Sequence, residues 1–600
     1  LQVRLLPVAL SAVASNADIA NAFDEMAALL EITGGNAFKV NAYRRASRTC
    51  ADAADDLCLL AQRAPAKLGS IEGIGSGLAS KIAEFAASGT IADLAALRAS
   101  VPPGLPELLQ LQGVGPKTVR QLWKEAGVDS VAALKSAIGK GALAGLARIG
   151  TPKSIANITE AIEHHLSRAG APARYRIGQA LPVGEGIAAL LRGVNGVARV
   201  EIAGSARRGR DTVGDLDILV GMSGVDAAER VSECAVSMEG VGKVLGRGPT
   251  KVSLRLSHGM QVDVRMVPMA AFGAALLYFT GSKEHNVQLR ERAIARRMHL
   301  NEYGLFPDDG QPAPQDRGVA PLAADDEESI YGALGMPHIP PECREAHGEL
   351  EWTEVPPLVE LGDIRSELHA HTTASDGELS IVELAELAKS RGFHTIAVTD
   401  HSKASAQANG LSVDRLMRHI DAVREAEQSV GGIRILAGSE VDILADGRLD
   451  YDDDTLSRLD IVVASPHTAL RQEPAAATAR LLSAIRHPLV HIIGHPTGRI
   501  VLGRDGLSPD IRAVAAAAAE HGVALEINAH WMRLDLRDAH VRAAMEAGAM
   551  IAIDCDIHAA ADADNLRYGV MTARRGGVTR DRCVNCLDAD ALAAWLARRR

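Results

Sequence analysis

The chain has 600 residues, 47% hydrophobic and 23% charged, which excludes a disordered chain or a collagen-like rod. No run of about 18 apolar residues occurs, so no membrane span is expected, and at ~150 residues per domain the length implies roughly four units. The net charge of −11 argues against a nucleic-acid partner for the chain as a whole, but it is unevenly spread: residues 1–335 hold 36 Lys and Arg against 35 Asp and Glu, residues 336–600 hold 28 against 40. Histidine is uneven too, with 13 of 20 in residues 366–600. The front is the better candidate for a polyanion, and the back carries a different chemistry. Seven cysteines include one CxxC, Cys583 and Cys586, with no second pair for zinc, and Leu1–Leu10 carry a single arginine. A cytoplasmic protein without a secretory signal is expected.

Residues 16–170 read as short helices between glycine-rich turns. Ile71-Glu72-Gly73-Ile74-Gly75 recurs as Leu111-Gln112-Gly113-Val114-Gly115-Pro116-Lys117, with a degenerate third copy at Leu146–Lys153. Each GxG allows a tight turn, and the helix that follows offers free N–H groups to a phosphate. The pattern resembles a helix-hairpin-helix, which grips the DNA backbone without reading sequence. Gly73, Gly75, Gly113, Gly115 and Lys117 are the implied contacts. Lys39, Tyr43 and Lys81 resemble the lyase domain of the DNA polymerase beta family, where the lysine at the Lys81 position forms a Schiff base with an abasic deoxyribose. Phe38 and Gly77 depart from that family's pattern, so the expectation is a weak or absent nucleophile.

Strands are predicted at Val200–Ile202, Leu216–Val220, Lys251–Leu256 and Gln261–Val267. Asp215 and Asp217, two apart on a strand, place both carboxylates on one face, and Asp263 sits similarly between apolar neighbours. Three carboxylates on adjacent strands can hold two Mg²⁺ (or Mn²⁺) ions for in-line phosphoryl transfer. Gly204 and Ser205, with Arg208 as counter-charge, supply a turn for the β,γ-phosphates. The stretch Gly204–Asp217 resembles the palm of family X DNA polymerases. The likeness runs on through Tyr278-Phe279-Thr280-Gly281-Ser282-Lys283-Glu284-His285-Asn286 to Arg290, and through 300–306 and 333–342. It implies that Tyr278 and Phe279 select deoxynucleotides, that Gly214, Gly281 and Asn286 belong to the nucleotide site, and that Arg290 contacts the template. Residues 336–362, rich in proline, read as a linker.

From residue 363 short apolar strands alternate with Ala-rich helices, the pattern of an α/β barrel or a doubly wound sheet. His369, His371, Asp376, His401, Glu440, His467, His495, Asp556 and His558 end strands or lie just past them, so a barrel would gather them on one rim. Imidazole with carboxylate suits Zn²⁺, Mn²⁺ or Fe²⁺. The series resembles the PHP (polymerase and histidinol phosphatase) domain, a distorted β/α barrel with up to three metals. The resemblance implies His369, His371, Glu440 and Asp556 on one, Glu440, His467 and His495 on a second, and Asp376, His401 and His558 on a third. Asp554 stands as a competing carboxylate, Cys555 is expected to pack, and Arg499, Arg574 and Arg575 are candidate phosphate contacts.

The expected architecture is multidomain: a lyase-like helical region at 1–95, a fingers-like region at 96–172, an α/β nucleotidyltransferase palm at 173–268, a thumb at 269–345, a linker at 346–365 and a PHP barrel at 366–600. The resemblance implies a monomeric bacterial-type family X DNA polymerase that fills gapped or nicked DNA from deoxynucleoside triphosphates during base excision repair. It also implies a metal-dependent PHP activity of 3′-5′ exonuclease, 3′-end processing or AP endonuclease type. The rival readings are a PHP phosphomonoesterase with a decayed polymerase half and a non-catalytic DNA-end-binding protein.

Overall fold

A computed structural model of the chain describes residues 16–598 apart from 52–56, 58–59, 62–64, 70–73, 110, 112–113, 144, 147–148, 152–153, 156–157, 160–161, 163–172, 225 and 312. The chain forms two compact units, Leu1–Pro172 and Ala173–Arg600. No helix among the described residues is long and apolar enough to cross a membrane.

The first unit contains the helices α1 (Asn16–Thr33), α2 (Ala37–Ala51), α3 (Ser76–Ser88), α4 (Ala92–Ala99), α5 (Pro116–Ala126) and α6 (Val131–Gly139). Gly75 and Gly115 are the N-caps of α3 and α5, both with extended backbone. The residue before each, Ile74 and Val114, is buried with Ile82, Phe85, Val119 and Leu122, which fixes the angle at which each helix leaves its turn. Gly73, Gly113 and Ala147, Arg148, Pro152 and Lys153 of the third copy lie outside the described residues.

The first part of the second unit contains α7 (Ile177–Arg192) and a five-stranded sheet built from β1 (Val197–Ile202), β2 (Asp215–Met222), β3 (Val241–Arg247), β4 (Lys251–Leu256) and β5 (Gln261–Pro268), with α8 (Ala227–Ser237) between β2 and β3. Its order is β1-β2-β5-β4-β3, and β2 runs parallel to β5. Leu216, Ile218, Val262 and Val264 are fully buried, so the alternate positions turn their carboxylates to the other face. β3 lies outside the strands expected from sequence. It is an exposed edge strand interrupted by Gly242 and Gly246, without the apolar alternation that marks a half-buried strand.

The helices α9 (Phe272–Thr280), α10 (Lys283–Ala295) and α11 (Glu327–Ala333), with the hairpin β6 (Met298–Asn301) and β7 (Gly304–Pro307), pack around Leu289, Leu305, Ile330 and Tyr331. The proline-rich segment is no free tether. Met336, Ile339 and Leu350 join this core, and fully buried Arg344 binds Glu327 at 2.6 Å and the Ile339 carbonyl at 2.9 Å. Proline interrupts helical periodicity without preventing burial, which is why the segment reads as a linker.

The remainder is a barrel of seven parallel strands in chain order: β8 (Ser366–Glu367), β9 (Thr395–Val398), β10 (Arg434–Asp442), β11 (Ile461–Ser465), β12 (Ile492–Ile493), β13 (Ala524–Asn528) and β14 (Met550–Asp554). A parallel bridge of Ala370 with Ile557 closes it just beyond β8 and β14. The intervening helices are α12 (Ile381–Ser390), α13 (Val413–Val430), α14 (Pro474–Arg486), α15 (Ile511–His521) and α16 (Asp538–Ala547); α17 (Leu566–Arg575) and α18 (Ala589–Ala597) follow β14. The barrel docks on the palm directly. Leu534 and Tyr568 enter the palm core, and Gly178 of α7 lies where an added Cβ would be 2.2 Å from Trp531.

Candidate functional site

On the palm, Asp217 of β2 pairs in register with Asp263 of β5, and Asp215 lies two residues earlier on β2. The three carboxylates therefore share one face. Cations surround them: Lys251 Nζ is 2.8 Å from Asp263 Oδ2 and Arg265 Nε 3.5 Å from Asp217 Oδ1. Burial, with Asp215 close by, pushes the Asp217 carboxyl up to about 6 despite Arg265. Burial also acts to raise Asp263, but hydrogen bonds from Lys251 and Ser253 outweigh it and hold that carboxyl below its ordinary value. Like charges crowded in this way call for divalent cations.

The turn facing these carboxylates has little spare room. Gly204 has φ +65°, and an added Cβ would lie 2.7 Å from Asp217 Oδ2, so only glycine fits. Ser205 follows it in the helical turn Gly204–Arg207. Arg208 donates from Nε to Glu345 at 3.0 Å and from Nη1 to the Thr280 carbonyl at 2.5 Å. Gly281, at φ +69°, lies against that guanidinium. A Cβ added at Gly214 would make only ordinary contact with Arg174. Tyr278 and Phe279 meet edge-to-face at 5.1 Å, and Arg265 lies 4.0 Å over the Phe279 ring. Asn286 Nδ2 donates to the Tyr278 carbonyl at 2.7 Å, and Arg290 Nε to the Asn286 carbonyl at 3.3 Å. Arg207, not singled out from sequence, is bound by both oxygens of Glu327 at 2.8 and 2.7 Å, tying palm to thumb.

In the first unit Lys117 is exposed at the start of α5, Lys39 is exposed on α2, and Tyr43 is buried. Lys81 forms an ion pair with Asp93. Burial works against its charge, yet the Asp93 hydrogen bond and nearby Tyr43 and Glu84 leave its amine above its ordinary value.

All nine barrel positions converge. Glu440 Oε1 is 2.8 Å from His495 Nε2, 3.1 Å from His467 Nε2 and 3.4 Å from His369 Nε2, while its Oε2 is 2.9 Å from His401 Nδ1 and 3.6 Å from His371 Nε2. Asp556 Oδ1 lies 3.0 Å from His371 and 3.5 Å from His369. Asp376 Oδ1 lies 3.5 Å from His558 and 3.6 Å from His401. His401, expected in the third set alone, thus also reaches Glu440. Asp376 and His558 are each 34% exposed and mark the side open to solvent. Asp554 is not part of the cluster: its Oδ1 accepts from Leu368 N–H and Asn585 Nδ2. Cys555 is buried.

Both Glu440 oxygens, both nitrogens of His371 and of His495, His369 Nε2, His401 Nδ1 and Asp556 Oδ1 are buried without a hydrogen-bond partner. Buried polar atoms are rarely left so, and these atoms fall into ligand groups within 4.8 Å of one another. The donor set fits divalent cations. Burial works against charge throughout, but Glu440 and Asp442 raise His467 to about 10, and Asp376 and Asp556 raise His558 to about 9. Burial with neighbouring cations depresses His371 and His495 to about 4.

Outer polar side chains, which sequence patterning does not single out, hold the clustered residues in place. Glu526 binds His369 Nδ1 at 2.6 Å, Asp442 binds His467 Nδ1 at 3.1 Å, and Asn528 Nδ2 donates to Asp556 Oδ2 at 2.9 Å. The expected phosphate-contacting arginines are engaged elsewhere. Arg499 donates to the carbonyls of Arg533 and Leu534 and to Asp211, Arg574 binds Glu342, and Arg575 binds Glu345. Arg533 is the arginine at the centre: its Nε is 3.8 Å from Asp556 Oδ2, and its guanidinium makes no hydrogen bond among the described residues.

Known families match along the chain in a corresponding order: a helix-hairpin-helix domain at 14–91, a SAM-like helix-hairpin-helix tandem at 105–163, the DNA polymerase beta thumb at 275–345 and the PHP domain at 367–530. The DNA polymerase/3′-5′ exonuclease PolX of Bacillus subtilis (strain 168) is 37% identical over 97% of this chain and 99% of its own length. A probable phosphatase of Shewanella sp. (strain MR-4) is 36% identical over 32% of this chain and 75% of its own, and one of Thermoanaerobacter sp. (strain X514) is 30% identical over 36% and 88%. With near-complete coverage by one relative and a palm, thumb and metal-ligand barrel in sequence, the chain belongs to the bacterial family X DNA polymerases that carry a PHP domain.

Proposed function

We propose that this protein fills short gaps in DNA and trims 3′ ends, with polymerization on the palm and phosphoester hydrolysis in the barrel. The register of Asp217 opposite Asp263, with Asp215 beside them, is the observation that carries the polymerase reading. Two Mg²⁺ (or Mn²⁺) held by these carboxylates would supply charge neutralisation for the attacking 3′-hydroxyl and the leaving pyrophosphate. The Gly204–Ser205 turn and Arg208 bind the triphosphate, Tyr278 and Phe279 crowd the sugar, Asn286 is the residue for the incoming base, and Arg290 is the template contact. Gly75, Gly115 and Lys117 hold duplex phosphates, so affinity for DNA falls with salt.

In the barrel the nine ligands would hold up to three Zn²⁺, Mn²⁺ or Fe²⁺, which supply a nucleophile at neutral pH and neutralise the phosphate. Arg533 orients the phosphodiester beside Asp556, with donors free for a non-bridging oxygen. The similarity to a relative named as a probable phosphatase favours a second chemistry there, removal of a 3′-terminal phosphate.

The test is a one-nucleotide gapped duplex offered with a 3′-hydroxyl, a mismatched 3′ end or a 3′-phosphate. Insertion on the first and trimming or dephosphorylation followed by insertion on the others are expected. No insertion on any substrate would overturn the polymerase reading.

A further inference from the structure

An arginine of the PHP barrel reaches the polymerase's nucleotide turn. Arg575, the last residue of α17, is 3% exposed. Its Nη1 donates to the carbonyl of Arg208 and to Glu345 Oε1, each at 2.9 Å, and its Nη2 to Asp538 Oδ2 of α16 at 2.6 Å. Glu345 Oε1 is the same oxygen that accepts from Arg208 Nε at 3.0 Å. Met571, one turn back on α17, packs where a Cβ on Gly209 would lie 2.9 Å away. Arg208 is thereby held from three directions: its backbone by Arg575, its Nε by Glu345 and its Nη1 by the Thr280 carbonyl. Nη2 is the guanidinium nitrogen with no hydrogen bond among the described residues.

We propose that Arg575 is a positioning residue for polymerization, a PHP-domain side chain that presets the triphosphate ligand Arg208 through Glu345. The inference rests on the reading of Arg208 as that ligand. A guanidinium already fixed by neighbouring groups loses less freedom on gripping a phosphate than a mobile one, so the relay acts on nucleotide affinity. Arg575 is buried with both terminal nitrogens engaged, so it acts through Arg208 and Glu345 and not as a ligand itself. Asp538 anchors it, so the barrel helices α16 and α17 bear on the polymerase site without contributing a catalytic group.

The test is single-nucleotide insertion into a one-nucleotide gap by the full chain, with KM for the nucleotide and kcat measured separately. Arg575→Gln should raise KM by about fivefold or more with kcat within about twofold. Arg575→Lys, which keeps the charge but not the fork, should recover part of the loss. Arg574→Gln is the control for general damage to the seam, because its neighbour Arg574 binds Glu342 and the Val359 carbonyl but not Arg208. It should behave as wild type. Glu345→Gln combined with Arg575→Gln should cost less than the sum of the two, since both act through one contact. Wild-type KM in Arg575→Gln, or in Arg575→Lys and Glu345→Gln should the former not fold, overturns the relay provided Arg208→Gln raises KM. An unchanged KM in Arg208→Gln overturns the nucleotide assignment and the relay with it. An equal rise in Arg574→Gln also overturns it.

Discussion

Glu526 Oε1 lies 2.6 Å from His369 Nδ1, and neither side chain is exposed. The other Glu526 oxygen accepts from His495 N–H at 2.5 Å, so one carboxylate holds two ligands that arrive from different strands. Glu526→Ala should therefore weaken metal binding by about 10- to 100-fold, with Glu526→Gln intermediate. Metal content of the full-length protein after dialysis against a graded chelator measures this. Wild-type retention in Glu526→Ala would show that the pair only packs.

Glu440 faces five imidazoles, whereas His558 belongs to one ligand group on the open side. Removing the shared carboxylate leaves closely spaced cations without their common negative charge. Glu440→Ala should lower bound metal per chain by more than His558→Ala does, and both should spare primer extension. Equal losses in the two variants would refute Glu440 as the shared ligand.

Asp215→Ala or Asp263→Ala should abolish primer extension while DNA binding and the 3′-nuclease stay within about twofold, because the role proposed for these carboxylates is to hold metals and not duplex. Extension within about tenfold of wild type in either variant would refute the assignment.

The carboxylate and imidazole positions are legible because each lies in a local pattern, such as Asp215-Leu216-Asp217 on one strand or His369-Ala370-His371 at a strand end. Their partners are not. Arg207 with Glu327, Arg575 with Glu345 and His369 with Glu526 are separated by more than a hundred positions, and a sequence shows a charge without showing what faces it. Arg499 illustrates the error this produces. It stands near His495 in the chain, yet backbone carbonyls and Asp211 engage its donors, leaving Arg533 beside Asp556. Likewise, nothing local in the proline-rich segment signals that Arg344 is buried against Glu327.

Lys81 should be a poor Schiff-base nucleophile, for a reason beyond the departures at Phe38 and Gly77. Its ion pair with Asp93 keeps the amine protonated, and only the neutral amine attacks a sugar aldehyde. Borohydride trapping on a gapped substrate carrying a 5′-deoxyribose phosphate should give little adduct in wild type and more in Asp93→Asn. Strong trapping in wild type that disappears in Lys81→Ala would contradict this.

His285 sets a pH dependence for the thumb. It is fully buried, with Nδ1 2.7 Å from Glu349 and Nε2 2.8 Å from the Tyr331 hydroxyl. The neutral ring satisfies both, donating to the carboxylate and accepting from the phenol. Burial, with Arg344 and Arg208 nearby, pulls its ionisation below the ordinary histidine value although Glu349 opposes this. The folded protein therefore resists the proton that an unfolded chain accepts below about pH 6.5. Its contribution to stability is complete above that pH and lost as pH falls toward the folded value, at up to about 1.4 kcal/mol per pH unit. The neutral substitution His285→Gln removes that proton uptake from the unfolded chain. The melting temperature of wild type should exceed that of His285→Gln by most at pH 7.5, and the gap should narrow between pH 6.5 and 5. A gap that widens on acidification would mean that the histidine is charged in the fold and paired with Glu349 as an ion.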